Sequence, residues 1–270
     1  MPSELERAIA FDEVLRERCA ERIVPARFGR AFFNDSYPRV WDLNFLRTYG
    51  GRHVDPGEVA ADAELLHTSA GHSHRRVDAP DESVGALLEP FFRRLGWHID
   101  REIFMAYRGG GERGADTSTV EEVSRDDLRS LREEITRGEP WATDDEVVSM
   151  VLDAGALWAG AGNARHFAMR SGGEVVSTAD LYSDGRTAQV EDVATAPAHR
   201  GRGHASAVVL RAVEEAQAAG HDFVFLVTDE ENWPKELYAR LGFEPIGRWW
   251  SFLRTPSEAR GARARSTAGS

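Results

Sequence analysis

The chain of 270 residues has one cysteine, Cys19, so neither an intrachain disulfide nor a cysteine-based zinc site can form. A lone thiol suits a reduced, cytoplasmic setting. No stretch approaches the roughly 18–20 apolar residues of a membrane span. The opening MPSELERAIAFDEVLRER is charged throughout and lacks the apolar run of a signal peptide, so no leader is expected. Lysine is nearly missing, and Lys235 is the only one. Positive charge is in deficit as well: Lys+Arg 33 against Asp+Glu 45 leaves −12. A net-acidic chain repels polyanions unless a basic patch is focused somewhere. The one dense cluster, Arg260, Arg263 and Arg265, lies in a Gly/Ala/Ser tail (256–270) expected to be disordered. Neither nucleic acid nor membrane is an expected partner, and the oligomeric state stays open.

What remains is an ordinary globular composition, with 41% hydrophobic and 29% charged residues. Its length suits one large domain or two small ones. In the second half, Thr119–Val123 alternates like a short strand. Ser124 caps a helix over Arg125–Thr136, which Gly138 and Pro140 break. Thr143 or Asp144 opens a second helix that ends at Gly160 and Gly162. Extended segments then follow at Arg165–Arg170, Glu174–Tyr182 and Thr187–Thr195, turned by Gly172-Gly173 and by the hairpin signal Asp184-Gly185. A helix with Ala205, Val208, Val209, Ala212, Val213 and Ala216 on one face stops at Gly220. A buried strand at Phe223–Val227, a short helix from Pro234 to Leu241-Gly242 and a strand at Phe243–Leu253 complete an α/β sheet domain.

The first half repeats the later part of that order. A strand (Val40–Tyr49), a helix (Pro56–Ala70), an extended piece (Arg75–Asp78) and a helix (Val84–Leu95) lead to Leu95-Gly96-Trp97 and a strand to Tyr107. Leu241-Gly242-Phe243 closes the same series in the second half. The spacing is similar, which points to an internal duplication joined near Gly109–Asp116. The expected division is 1–110, 111–255 and the tail 256–270.

Chemistry is most legible at Val193–Ala205, where a strand runs through a glycine-bearing loop into a helix. The N–H groups and dipole of a helix start favour an anion, glycines allow close approach of backbone to phosphate, and Arg200 and Arg202 can pair with it. A plain glycine-rich turn is the alternative. No Gly-Lys-[Ser/Thr] follows, so this is not a P-loop, nor is it G-x-G-x-x-G.

Arg200-x-x-Gly203-x-Ala205 resembles the [Gln/Arg]-x-x-Gly-x-[Gly/Ala] pyrophosphate loop of the GNAT superfamily of acetyl-CoA-dependent N-acetyltransferases. Glu236–Phe243 resembles the Leu-Tyr-x-x-x-Gly-Phe helix of the same superfamily. The likeness covers Thr119–Arg254, while residues 28–108 resemble only the later half of the fold. It implies a mixed, mostly antiparallel sheet flanked by helices, duplicated in tandem, with a degenerate N-terminal copy. It also implies acetyl-CoA as cosubstrate. The backbone of Val193, Ala194 and Thr195 would pair with the pantetheine arm, and Arg200, Gly201, Arg202, Gly203, His204 and Ala205 would hold the pyrophosphate. Tyr238 would be the general acid that protonates the departing thiolate. Asn232 and Lys235 are further candidates for cofactor contact. The superfamily often has an asparagine seven residues before the tyrosine; here Glu231 holds that place and Asn232 is six before.

An alkylamine with a pKa of about 10 must lose a proton before it attacks. Strand alternation puts Gln189, Glu191, Val193 and Thr195 on one face and Val190, Asp192 and Ala194 on the other. Glu191 is therefore favoured as general base over Asp192, an ordinary solvated carboxylate being the alternative. Asp180, Tyr182, Trp249 and Trp250 are candidates for the acceptor pocket, with core packing favoured for the tryptophans. The first half lacks Arg-x-x-Gly-x-Gly after Tyr49, and Phe92 stands where Tyr238 stands in the second. A last cluster, His67, His72 and His74, matches no standard zinc spacing, and a His/Arg-rich helix end suits the dipole, so no metal is expected. The implied activity is acetyl transfer to a primary amine, with a small-molecule acceptor, by direct attack on the thioester. A non-catalytic acyl-CoA-binding regulatory module, or acetylation of a protein amine, is the alternative.

Overall fold

The computed structural model describes residues 2–50, 53–111 and 115–255. The tail expected at 256–270, with its three arginines, lies outside the described residues, as do parts of the Gly50–Pro56 and Gly109–Asp116 segments. The chain runs α1 (Glu4–Cys19), β1 (Arg22–Ala26), β2 (Gly29–Phe33), β3 (Phe45–Thr48), α2 (Pro56–Ser69), β4 (Arg75–Ala79), α3 (Glu82–Arg94) and β5 (His98–Tyr107). It continues with β6 (Val120–Val123), α4 (Arg129–Gly138), α5 (Asp145–Ala161), β7 (Arg165–Ser171), β8 (Glu174–Ser183) and β9 (Thr187–Thr195). It finishes with α6 (His204–Ala218), β10 (Phe223–Asp229), α7 (Pro234–Arg240) and β11 (Phe243–Arg254). Among the described residues no helix is long and apolar enough to cross a membrane.

Two compact units interleave along the chain. The first gathers Met1–Phe11, Phe104–Thr228 and Trp233–Ile246; the second takes Asp12–Ile103, Asp229–Asn232 and the chain from Gly247. The units therefore do not follow a single cut near residue 110. Residues Phe104–Tyr107 of β5 and the start of α1 belong to the first unit, and the second half of β11 belongs to the second.

In the first unit β6, β7, β8 and β9 form an antiparallel meander, and β9 pairs in parallel with β10. Arg132 of α4 bonds Asp180 at 2.6 Å, whereas Arg165, paired across the ladder with Leu181, reaches Glu215 of α6 at 2.7 Å. Asp180 and Leu181 point to opposite faces, so α4 and α6 cover opposite sides of this meander. Local chemistry opens the helices. Asp144 caps α5 by accepting from Val147 N at 2.9 Å, and the Ser124 hydroxyl accepts from Asp127 N, whose carboxylate accepts in turn from Ser124 N. Phe11 meets Phe225 edge-on at 5.7 Å, and Phe104 stacks on the same ring at 6.2 Å. The first unit thus draws core residues from the first half of the sequence.

In the second unit β1–β2–β3 is antiparallel, β3 and β4 are parallel, and Trp250–Arg254 of β11 runs antiparallel to Ala79–Arg75 of β4. Val59 and Ala63 of α2 and Val84, Leu88 and Phe92 of α3 pack on Leu46, Val77, Trp250 and Phe252. Arg47 is fully buried. It bonds Asp12 at 2.7 Å and Glu13 at 2.6 Å and lies under the Trp249 ring at 5.0 Å. Such an ion group adds little net stability, but removing one member strands a charge.

The hairpin β1–β2 has no counterpart in the sequence reading, because Pro25 and short, arginine-broken runs hide its alternation. It depends on Gly29, where a Cβ would lie 1.8 Å from the Arg47 carbonyl oxygen. The strand expected over Val40–Tyr49 is corrected to β3 alone, preceded by a single 3-10 turn at Trp41–Leu43. The Asn44 amide imposes this: it donates to the carbonyls of Tyr37 and Val40 and accepts from Asn34 N.

The repeat of elements is borne by matching geometry. Leu95 (φ −77°) precedes Gly96 at φ +73°, and Leu241 (φ −78°) precedes Gly242 at φ +94°. In both, the leucine N–H bonds the carbonyl four residues back and the glycine N–H the carbonyl three back. Both copies also join parallel strands through a helix, β3–α2–β4 and β9–α6–β10.

Residues 112–255 produced alone lose Phe11, Phe104 and Tyr107 from the first unit. They should elute as aggregate in size-exclusion chromatography, and a monodisperse, cooperatively melting fragment would contradict this. A second expectation concerns Glu102, whose Oε2 is buried without a partner although the residue is partly exposed. Burial pushes its pKa up to about 8 despite Arg76, and Asp78, Asp100 and Asp42 add to the rise. The folded chain then keeps a proton that the unfolded chain releases, so stability falls as pH rises from about 4.5 to about 8. Glu102→Gln should be close to wild type in urea midpoint near pH 5 and progressively more stable toward pH 8. A pH-independent difference would show that Glu102 titrates normally.

Candidate active site

A regular strand would keep Glu191 on the face of Val193 and Thr195. The register corrects that expectation. Glu191 pairs with Asp180 and Ala194 with Thr178, so Asp192 and Val193 together oppose Ala179. This is a β-bulge. Asp192 sits at φ +49°, a left-handed conformation that aspartate adopts more readily than branched residues. Directly opposed residues share a face, and the extra residue inverts the alternation beyond it. Glu191 therefore lies on the face of Gln189, Asp180 and Ala194, while Thr195, opposite Ser177, falls on the other with Val190 and Leu181.

Already before the bulge β9 leaves its parallel neighbour. The β9–β10 register covers Thr187–Gln189 against Phe223–Phe225 and ends there, although the strands run on to Thr195 and Asp229. Backbone groups of Val193–Thr195 thus border a parting between strands, where an extended amide chain can add as a further strand. Pro197–His199 then turns once, and α6 begins at Gly203.

Gly203, at φ +80°, is the N-cap and brings no side chain to the helix start; Gly201 is at φ +73°. Nothing lies within 4 Å of a Cβ built at either glycine. Open space, uncapped N–H groups and the positive end of a helix make an anion site. Arg200 and Arg202 are exposed beside it and fold back onto the carbonyls of Thr195 (3.3 Å) and Ala198 (3.2 Å). These residues fit a pyrophosphate. The His204 ring stands 6.2 Å from His199, and burial, His199 and Arg202 lower its pKa.

Tyr238 projects from α7 and is 8% exposed. Burial raises its phenol well above the ordinary value, and the Glu191 carboxylate adds to the rise. Glu191 is thus near enough for its charge to act on the Tyr238 phenol. Gln189 donates to Glu191 across the same face. Asp180, fully buried, accepts from Arg132 and faces His166 Nδ1 at 2.7 Å, and Arg132 also lies 3.8 Å from Asp192. Sequence reasoning missed Arg132 and His166, which come from elements distant in the chain. Tyr182 is buried, and its phenol is raised by burial and by Asp192, Glu191 and Asp180.

The remaining candidates are less directly placed. Asn232 donates its amide to Asp229 at 2.8 Å within the turn before α7, and Lys235 is half-buried in the first turn of that helix. Trp249 and Trp250 are core residues of the second unit: Trp249 lies over Arg47, and Trp250 donates to Glu89 at 2.8 Å. Phe92 is fully buried against Trp97 and Phe252.

The sequence matches the Acetyltransferase (GNAT) family over residues 125–243. The chain carries a GNAT acetyltransferase domain. It is thereby an acyltransferase, and acetyl-CoA is the cosubstrate of that family. The GNAT-like fold extends over both units. A GCN5-related N-acetyltransferase from Kribbella flavida is 20% identical, with 97% of this chain and 99% of that chain covered and a TM-score of 0.66. A functionally unknown conserved protein from Staphylococcus epidermidis is 16% identical at TM-score 0.68, covering 87% and 94%. A tandem GNAT protein from the clavulanic acid biosynthesis pathway is 16% identical at TM-score 0.52, covering 85% and 79%. No curated protein matches the sequence significantly.

Gly203→Glu places an anion at the GNAT domain's loop but also strains a residue at φ +80°, at about 1–3 kcal/mol. Gly203→Ala carries the strain without the charge. By calorimetry, acetyl-CoA affinity should fall more than tenfold further in the glutamate variant than in the alanine variant. Equal losses would mean that the loop does not face a phosphate.

Proposed function

We propose that this protein is a cytoplasmic N-acetyltransferase that transfers acetyl from acetyl-CoA to a primary amine of a small molecule. The observation that carries this reading is the bulged β9, parted from β10, which leads into the uncapped start of α6. Acetyl-CoA, when bound, supplies an activated acetyl thioester. Arg200–Ala205 hold its pyrophosphate, and Val193–Thr195 bond its amide arm. Glu191 takes a proton from the amine, directly or through water. The amine nitrogen forms a bond to the carbonyl carbon, the carbon–sulfur bond breaks and Tyr238 donates its proton to the departing sulfur; the second proton shed by the amide nitrogen restores the phenol, and Glu191 releases the first to solvent. A phenol kept protonated by burial suits that donor role.

No covalent acetyl-enzyme is needed. Cys19 is 2% exposed, and burial pushes its thiol up to about 12, so the nucleophilic thiolate is absent at neutral pH.

Thiol release across a panel of small amines and peptide amines tests the reading, with turnover expected on small amines. Tyr238→Phe should lower kcat by about 10²-fold or more, the usual scale for a positioned acid, with little change in KM for acetyl-CoA. Its raised pKa also means that kcat should not decline through phenol ionisation up to about pH 10. Unchanged kcat in the phenylalanine variant would exclude the acid role.

A further inference from the structure

The second unit holds a cluster that the acetyl-transfer site does not use. His67 lies near the end of α2, His72 in the turn behind it and His74 just before β4. The turn explains why they meet. Gly71, at φ +77°, donates its N–H to the Thr68 carbonyl at 3.0 Å, and His72 N bonds the His67 carbonyl at 2.9 Å. That is a Schellman ending, in which the residue after the glycine normally makes an apolar contact with the one five earlier. Here both places are histidine, and their rings are 5.5 Å apart. His74 follows His72 by two residues, and its ring lies 5.3 Å from His72 and 5.1 Å from His67.

All three side chains are buried, at 0%, 5% and 1% exposure. One ring nitrogen from each lies within 4.8 Å of the others. Nδ1 of His67 and both ring nitrogens of His72 are buried with no hydrogen-bond partner. The outer nitrogens are oriented by backbone: His74 Nε2 is 3.0 Å from the Asn44 carbonyl, and His67 Nε2 meets both the carbonyl (3.3 Å) and the N–H (3.4 Å) of Arg76. A carbonyl or carboxylate on the far nitrogen is the usual support of a metal-binding imidazole. Buried polar atoms left without partners are costly, and three in one spot call for something to meet them.

We propose that His67, His72 and His74 bind one transition-metal dication of the Zn²⁺ type. Three neutral imidazoles without an oxygen donor among them select Zn²⁺, Co²⁺, Ni²⁺ or Cu²⁺ over Mg²⁺ or Ca²⁺. Zinc–nitrogen bonds of about 2.0–2.1 Å in a tetrahedron require the nitrogens to close from their present spread. Burial and mutual proximity keep the imidazoles unprotonated, with His67 lowered to about 2 and His74 to about 3. The nearby cations are offset: Arg22 is held by Asp35, Arg75 by Glu64, and Arg76 by Asp78 and Asp42. The bound ion would staple the end of α2 to the start of β4.

The test uses the full, tag-free chain stripped with EDTA and titrated with ZnCl₂ in a calorimeter. One Zn²⁺ per chain is expected, with a rise in Tm that EDTA reverses. His72→Ala, which breaks no ring hydrogen bond, should abolish both while leaving acetyl-CoA binding intact. Should that variant fail to fold, the wild-type chain decides: Co²⁺ must give the intense visible absorption of a tetrahedral site, and Zn²⁺ must shift the ¹⁵N resonances of three histidines. Absence of Zn²⁺ uptake by the wild-type chain would overturn the proposal. So would an undiminished uptake in a folded His72→Ala chain, or a weak octahedral Co²⁺ spectrum.

Discussion

The extra residue in β9 is the constraint on which the proposed acetyl-transfer site depends. A strand that kept its pairing on both sides would have no free backbone to offer a cosubstrate arm. By opposing Ala179 with both Asp192 and Val193, the bulge turns the strand and inverts its faces. Its pairing with β10 ends at Gln189 and Phe225. The bulge thus sets which residues share a face with Glu191, while the earlier end of the β10 pairing leaves the backbone beyond Gln189 without that neighbour. Aspartate at φ +49° is a local strain that the surrounding ladder holds in place.

The two units share a repeated order of elements but not the residues named for acetyl transfer. Phe92 has no hydroxyl to donate, yet it fills the core of the second unit against Trp97 and Phe252. Gly96 retains the helix-ending geometry of Gly242. The first unit in turn takes Phe11 and Phe104 from the early sequence to pack on Phe225. Loss of catalytic residues removes a hydroxyl and a phosphate loop, whereas loss of these aromatics would open the core. Packing retains what chemistry no longer needs.

Much of this was legible in the sequence. Glycine and proline punctuation, together with apolar spacing, located most elements of the second half to within a residue or two, because these signals act locally; the helix expected from Arg125 instead opens as a 3-10 turn over Asp126–Leu128 and becomes α-helical at Arg129. The Arg200–Ala205 loop and Tyr238 could be named as candidates for the same reason: phosphate loops and helix starts are built from consecutive residues. The order of elements and their similar spacing likewise pointed to a repeat. Only the tertiary structure decided the rest. Alternation along β9 cannot reveal a bulge, since the inserted residue is defined by its partner strand, and so the face of Glu191 was misjudged. Arg132 and His166 reach Asp180 from other elements. The 22–33 hairpin rests on Gly29 meeting the carbonyl of Arg47, a contact that no local window contains. His67, His72 and His74 match no zinc spacing along the chain. They converge because Gly71 reverses it and burial closes over three imidazoles, and burial is a property of the folded whole.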